Sequence, residues 1–152
     1  MDKAHLKIAE DAFIKIQRLF PDLEMKIIFD DRFVDLSMDI PRQNGLDFDV
    51  NVNLQNEDEL QISTSFICCN FISVDNPDTV DDFVKAVQGL IMGEYRVLQF
   101  VRHGKVFKSL LQRPNESKWI TIYKHLLTFR LPWMRLKENS IQNLRNSKII
   151  AL

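Results

Sequence analysis

The first part of the chain has apolar residues at every third or fourth position, which is the spacing of one helix face. This pattern predicts an amphipathic helix over residues 3–20. Asp2 is suited to cap its first turn, and Pro21 prevents the helix from continuing because proline lacks the required N–H. The apolar face comprises Leu6, Ala9, Phe13, Ile16 and Phe20.

The pattern then changes to alternation of apolar and polar residues, which indicates strands with one buried face. Alternating segments cover residues 24–30, 33–41 and 46–54, and a fourth begins at Glu59. Tight turns are predicted between them, and Asn44-Gly45 supplies the positive φ that a hairpin turn needs. The third segment is the clearest, with predicted core positions at Leu46, Phe48, Val50, Val52 and Leu54.

The alternation changes phase within ISTSFICCNF, residues 62–71, which contains both cysteines of the chain. Predicted inward positions are even-numbered up to Phe66 and odd-numbered from Ile67. A β-bulge at this point would produce such a change, and a strand end covered on both faces is the alternative. Because a disulfide between neighbouring residues is strained, we expect Cys68 and Cys69 to serve core packing rather than redox, nucleophilic or metal chemistry.

A second helical pattern covers residues 77–92, with Asn76 as N-cap, Pro77 in the first turn and Gly93 at the C-cap. Three more strands are predicted after it, two of them joined by a short turn at His103-Gly104. The remaining tail is interrupted by proline, and its segment ENSIQNLRNSKII is compatible with a short last helix.

The order α-β-β-β-β-α-β-β-β predicts an α+β fold, in which helices pack on a mostly antiparallel sheet. The length of 152 residues indicates a single domain. We expect this domain over residues 1–124, followed by a basic C-terminal tail over residues 125–152. The tail is predicted to pack on the domain or to form a dimer contact.

The small net charge of −1 hides a strong division along the chain. Residues 1–94 contain 19 acidic and 8 basic residues, whereas residues 95–152 contain 2 acidic and 12 basic residues. One interpretation is that the two halves neutralise each other on neighbouring strands. The other is that a charged partner binds one of them.

The acidic residues of the second and third strands suggest where such a partner would bind. Asp35, Asp39, Asp47 and Asp49 are predicted to point away from the core, which makes them either a solvated face or a docking face for a basic protein. The D-x-D-x-N pattern at Asp47 opens like a calcium loop, but Val52 stands where that loop needs glycine. We therefore predict no metal ligand here.

Motifs for catalysis and cofactor binding are absent from the sequence. It contains no H-E-x-x-H, C-x-x-C, G-x-S-x-G, G-x-x-x-x-G-K-[ST] or G-x-G-x-x-G, so no cofactor and no catalytic residue are predicted. Basic and aromatic residues alternate in the last strands, but a pI of about 6.3 argues against a nucleic-acid binder. An acidic start without an apolar run and the adjacent cysteines lead us to expect a cytoplasmic protein without a membrane span.

The stretch VDDFVKAVQGLIMGEYRVLQFVRHGKVFKSLLQRP resembles small bacterial immunity-type proteins of polymorphic toxin systems. This resemblance covers about residues 58–123 and implies a binding protein rather than an enzyme. The order of helix, acidic sheet, helix and further strands is also similar to type III secretion chaperones, which are small, acidic and dimeric. The chain departs from them in its four predicted strands before the second helix and in its basic C-terminal third.

These features predict a non-enzymatic bacterial protein-binding domain. In the leading hypothesis it is an immunity-type protein that neutralises a toxin partner through the acidic strand face. The first alternative is a secretion or assembly chaperone that dimerises through the C-terminal tail. The second is a small hydrolase, which would need a pocket with a perturbed acid or histidine.

Overall fold

The computed structural model describes residues 3–29, 33–127 and 140–146. The proposed N-cap Asp2, the turn at residues 30–32 and most of the tail lie outside these ranges. Two helices and nine strands occupy the described residues: α1 Lys3–Leu19, β1 Lys26–Phe29, β2 Leu36–Ile40, β3 Val50–Gln55, β4 Glu59–Ser63, β5 Cys68–Ile72, α2 Pro77–Ile91, β6 Arg96–Arg102, β7 Lys105–Asn115, β8 Lys118–Leu126 and β9 Ser140–Leu144.

The strands β1 to β5 form one antiparallel sheet in chain order, and both helices pack on one of its faces. Registered rows of apolar side chains cross the sheet on that face, and one row comprises Met38, Val52, Ile62 and Cys69. Phe83 of α2 stacks on Phe13 of α1 and meets Phe71 of β5 edge to face. The α+β fold class with helices on a mostly antiparallel sheet is therefore confirmed.

Local signals in the sequence explain the ends of α2. The Asn76 side chain accepts a hydrogen bond from the N–H of Asp78 at 3.0 Å, and Pro77 occupies the first turn. Beyond the C-cap Met92, Gly93 has a φ of 65°, which lets the chain leave the helix in a left-handed conformation. The predicted N-cap is confirmed, whereas the C-cap is Met92 and the predicted Gly93 is the residue after it.

The expected β-bulge near Phe66 is wrong, because the chain turns back there and forms a fifth strand. Residues 64–67 connect β4 to β5, and the N–H of Thr64 donates to the carbonyl of Ile67 at 2.9 Å. The Thr64 hydroxyl also accepts the N–H groups of Phe66 and Ile67. The change of phase therefore marks the crossing from one antiparallel strand to the next.

The predicted third strand is shorter than its apolar pattern, because β3 begins at Val50 rather than at residue 46. Leu46 pairs with Gln43 in an isolated bridge, and Gly45 between them has a φ of 84°. Leu46 and Phe48 are nevertheless buried, so the alternation of burial continues through a bent segment without ladder hydrogen bonds.

The remaining strands form a second antiparallel sheet in the order β8-β7-β6-β9. The short last helix is wrong for residues 140–144, which form β9 and pair with β6. One face of this sheet supplies Val97 and Leu111 to the main core. Gln99 and Ser109 of that face both donate to the carbonyl of Phe66 at 2.9 Å, which satisfies an acceptor in the turn between β4 and β5.

The two sheets separate the acidic and basic parts of the chain. No strand of β1 to β5 pairs with a strand of β6 to β9, so neutralisation on neighbouring strands does not occur in the described part of the chain. Ion pairs between described residues all join side chains of the acidic part. The division into a domain over 1–124 and a tail over 125–152 stays a prediction, although β8 continues to Leu126 and Asn146 donates to the carbonyl of Leu90.

Candidate protein-binding site

The predicted acidic strand face does not form a continuous row of carboxylates. Asp35 and Asp39 lie at opposite ends of β2, and the buried Ser37 lies between them. The Asp35 carboxylate accepts the N–H of Glu57 at 3.3 Å, and the Asp39 carboxylate accepts the Asn51 amide at 2.6 Å. Both carboxylates thus support the local structure of the sheet.

The other two aspartates lie in the bent segment before β3, and both are exposed. The Asp49 carboxylate accepts the N–H of Arg42 at 2.6 Å, which holds the turn after β2. The N–H of Asp47 donates to the Asn146 side chain at 2.8 Å, so this residue connects the first sheet to the segment after β9. Of the four predicted residues, the structure brings Asp39 and Asp49 to the same end of the sheet.

Amide side chains occupy the middle of the face that the helices leave uncovered. Asn53 donates to Gln61 at 3.2 Å, and Gln61 donates to Asn70 at 3.1 Å, so one polar row crosses β3, β4 and β5. Asn53 also donates to Asn51, and Asn53 itself is only 6% exposed. Neutral amides therefore separate the aspartates at the two ends of this face.

The two cysteines lie on opposite faces of β5, as a regular strand requires. Cys69 is fully buried in the core, and burial, followed by the neighbouring Cys68, raises its pKa far above that of a free thiol. Cys68 is half-buried, and burial together with the charge of Glu59 also raises its pKa. Neither thiol has the lowered pKa that nucleophilic or redox chemistry needs.

Metal chemistry finds no support among the described residues, where no group of three or more His, Cys, Asp or Glu side chains could hold an ion. The histidines that are described are far apart in the fold. His5 is hydrogen-bonded to the carbonyl of Glu57 at 3.0 Å, and His103 occupies the turn between β6 and β7 with a φ of 49°. His125 lies on β8.

A groove lies between α1 and α2 in the described part of the chain. Its volume is about 430 Å³, which is in the range of pockets that bind small molecules or several side chains of a partner. Apolar side chains from both helices and from the loop before α2 line it: Ile8, Ala12, Val74, Pro77, Val80 and Val84.

The rim of the groove contains more aspartates than lysines, although lysines pair with two of the aspartates, one of these pairs being Lys7 with Asp11 at 2.9 Å. Three aspartates, Asp11, Asp75 and Asp81, and one lysine, Lys15, contribute to its lining. Lys85 donates to the Asp81 carboxylate at 2.6 Å and thereby lowers its pKa, and Lys15 lies 3.7 Å from the same carboxylate. The Asp81 carboxylate consequently remains charged at neutral pH. The groove is apolar inside and has aspartates at its edge.

Sequence reasoning missed this groove although it found part of its lining. Val80 and Val84 belong to the apolar stripe expected for the second helix. Ile8 and Ala12 lie outside the stripe expected for the first helix, but they are four residues apart and extend its apolar face sideways. The unusually wide apolar face of the first helix was the signal in the sequence that could have indicated the groove.

Comparison with protein-family models, curated protein sequences and solved structures found no significant match. No helix among the described residues is long and apolar enough to cross a membrane.

Proposed function

We propose that this protein is a non-enzymatic binding domain that holds a basic, amphipathic segment of a partner protein in the groove between α1 and α2. The observation that carries this proposal is the combination of an apolar interior with the acidic rim of Asp11, Asp75 and Asp81. An amphipathic helix binds such a groove through its apolar face, and lysine or arginine side chains at its edges meet the carboxylates.

The biological role that we propose for this activity is that of a bacterial immunity-type protein, which neutralises a basic toxin by occupying one of its segments. Such a role needs complementary shape and charge but no catalytic group. Because both cysteines are free, we also propose a reducing compartment, namely the cytoplasm. Compared with the acidic strand face, the groove offers apolar area that a stable complex requires.

The test uses a defined probe, a fluorescein-labelled amphipathic peptide of leucine and lysine, whose binding is followed by fluorescence anisotropy. Charge reversal at the rim, Asp11→Lys with Asp75→Lys, should weaken binding at least tenfold and reduce its dependence on salt. Both side chains are exposed, but Asp11 pairs with Lys7 at 2.9 Å, so the variant should lose no more than about 1 kcal/mol of stability in urea and remain folded under the binding conditions.

A matched control carries the same change in charge on the strand face, Asp47→Lys with Asp49→Lys. The proposal requires that this variant binds the peptide as the parent protein does. Equal weakening by both pairs would show that only the overall negative charge attracts the peptide. Weakening by the strand-face pair alone would move the site to the acidic strand face.

A second candidate, a dimeric secretion or assembly chaperone, is favoured by the start of the tail. Leu126 and Leu127 are 54% and 50% exposed. Leu126 ends β8, an edge strand of the second sheet, and Leu127 follows it. Light scattering after size exclusion tests it, because Leu126→Lys with Leu127→Lys should convert a dimer to a monomer. A parent protein that is monomeric at all concentrations would remove this candidate.

A further inference from the structure

Two arginines meet at one tryptophan on the second sheet. Arg96 begins β6 and Arg145 follows β9, and the register of these strands places them next to the pair Val97 and Leu144. The guanidinium carbon of Arg96 lies 4.0 Å from the centroid of the Trp119 ring, and that of Arg145 lies 5.8 Å from it. Both positive charges therefore share one indole.

Both arginines are anchored through the same atom of their side chains. The Nε–H of Arg96 donates to the Gln112 side chain at 2.9 Å, and the Nε–H of Arg145 donates to the carbonyl of Gly93. Among the described residues, no acceptor engages the terminal Nη groups of either arginine. These groups are the part of a guanidinium that binds an oxyanion in a fork.

Among the described residues, no carboxylate balances the charges of this pair. No described acidic residue forms an ion pair with Arg96 or Arg145, and the strands β6 to β9 contain no aspartate or glutamate. Burial and, after it, the charge of Arg145 lower the pKa of the Arg96 guanidinium. Two like charges held together in this way are stabilised by an anion that contacts both.

We propose that Arg96 and Arg145, together with the Trp119 ring that contacts both guanidiniums, form a binding site for a phosphomonoester group. The two positive charges of the guanidiniums match the charge of a phosphate monoester, which is about −1.5 to −2 at neutral pH. A single carboxylate would balance only one of them. Gln112 and the exposed Thr121, whose side chains hydrogen-bond at 3.0 Å, add polar groups beside the arginines.

A single-stranded nucleic acid is a poorer match for this surface. Such ligands stack their bases on free aromatic faces. Here Arg96 lies over the Trp119 ring, and Lys108 lies 3.6 Å from the centroid of the Phe100 ring. Cationic side chains therefore cover a face of each of these two rings. The site is thus built for a compact anion rather than for stacked bases.

The experiment titrates the full chain with inorganic phosphate at constant ionic strength and follows the indole ¹⁵N–¹H signals of the tryptophans by NMR. Trp119→Phe assigns the signal of the site, since the chain contains two tryptophans. We expect a saturable shift of the Trp119 signal with phosphate and none with chloride. Adenosine monophosphate and a phosphoserine peptide, titrated in parallel, show whether the natural phosphomonoester belongs to a nucleotide or to a protein.

Arg145→Gln is the decisive variant, because Arg145 is exposed and its loss should leave the fold intact. Its affinity for phosphate should fall about tenfold or more, since a charge-assisted fork is lost. Arg113→Gln is the matched control, because this exposed arginine pairs with Ile120 on the same sheet but lies outside the site.

Equal weakening by Arg145→Gln and Arg113→Gln would overturn the proposal, as would the absence of a saturable shift in the parent protein. A single-stranded oligonucleotide that binds more tightly than adenosine monophosphate, with equal sensitivity to both substitutions, would assign the surface to nucleic acid instead. Failure of the peptide experiment on the groove would leave this outcome unaffected, because the two sites share no residue.

Discussion

Gly89 lies in the last part of α2 where the ring of Tyr95 packs directly on the helix backbone. A Cβ atom at Gly89 would lie 2.5 Å from Cε1 and 2.6 Å from Cγ of that ring, and closer still to Cδ1. The N–H of Tyr95 donates to the carbonyl of Gly89 at 2.8 Å, so the Tyr95 backbone is held beside the helix and relief of the contact requires the ring to leave its rotamer. We therefore predict that Gly89→Ala destabilises the protein, although alanine is normally the better helix former.

The expected magnitude follows from two opposing contributions. Replacing glycine by alanine inside a helix stabilises by about 1 kcal/mol through intrinsic propensity. Forcing a methyl group into contacts that are roughly 1 Å too short costs about 1–3 kcal/mol. The net change in the free energy of unfolding should be a loss of up to about 2 kcal/mol, which corresponds to a decrease in Tm of up to roughly 8 °C for a chain of this size.

Urea unfolding of four proteins, followed by far-UV circular dichroism, measures the effect as a double-mutant cycle. In the Tyr95→Ala background the ring is gone, so Gly89→Ala should become stabilising by about 1 kcal/mol. The coupling between the two positions should consequently equal the steric cost of about 1–3 kcal/mol. If Gly89→Ala stabilises the parent protein as much as it stabilises the Tyr95→Ala variant, the steric reasoning is refuted.

Three further predictions concern other parts of the fold. Ser109→Ala should lower the free energy of unfolding by about 1 kcal/mol in urea titrations. The double variant with Gln99→Leu should lose more stability than the sum of the two single variants, because the Phe66 carbonyl then loses both donors. Losses that simply add would contradict this reasoning. Asn76→Ala should cost about 1 kcal/mol and Asn76→Gly only a few tenths, as measured in the same way, since Asn76 caps α2; equal losses would exclude capping as the cause. The rate of alkylation of each thiol in the native protein can be followed against pH by mass spectrometry. The midpoint for Cys68 should lie above the ordinary thiol pKa of about 8.5, because burial and Glu59 disfavour its thiolate. Cys69 should remain unmodified, because it is buried in the core. Glu59→Gln should move the Cys68 midpoint to lower pH, and a midpoint at or below that of a free thiol would contradict the assigned environment.

The pattern of the sequence was sufficient wherever a signal is local. The apolar spacing of α1, the Asn76 cap, the positive φ at Gly45 and the turn at His103 all depend on neighbours within a few residues, and the structure has each of them. Periodicity failed at residues 64–67, because a bulge and a tight connection both shift the phase of alternation by one position. The distinction between them is made by the pairing of β5 with β4, which is a contact between strands.

The candidate site was predicted only in part, and for a similar reason. The alternation of apolar and polar positions predicts which aspartates point away from the core, namely Asp35, Asp39, Asp47 and Asp49. It does not reveal that amide side chains separate them, or that their carboxylates and N–H groups have local hydrogen-bond partners. The wide apolar face of α1 is the one local signal for the groove, but α2 and the loop before it supply the rest of the lining. Its existence depends on the distance at which α1 and α2 pack.

The sequence by itself determined the fold class, the two helices, most of the strands and the division of charge, because these follow from spacing, capping and composition along the chain. The tertiary structure decided that the strands form two sheets, that the acidic and basic parts occupy different sheets, and that Arg96 meets Arg145 over Trp119. The physical reason is that these features arise from long-range strand pairing. A segment such as residues 140–144 has no strong preference of its own, and the free edge of β6 selects the strand conformation.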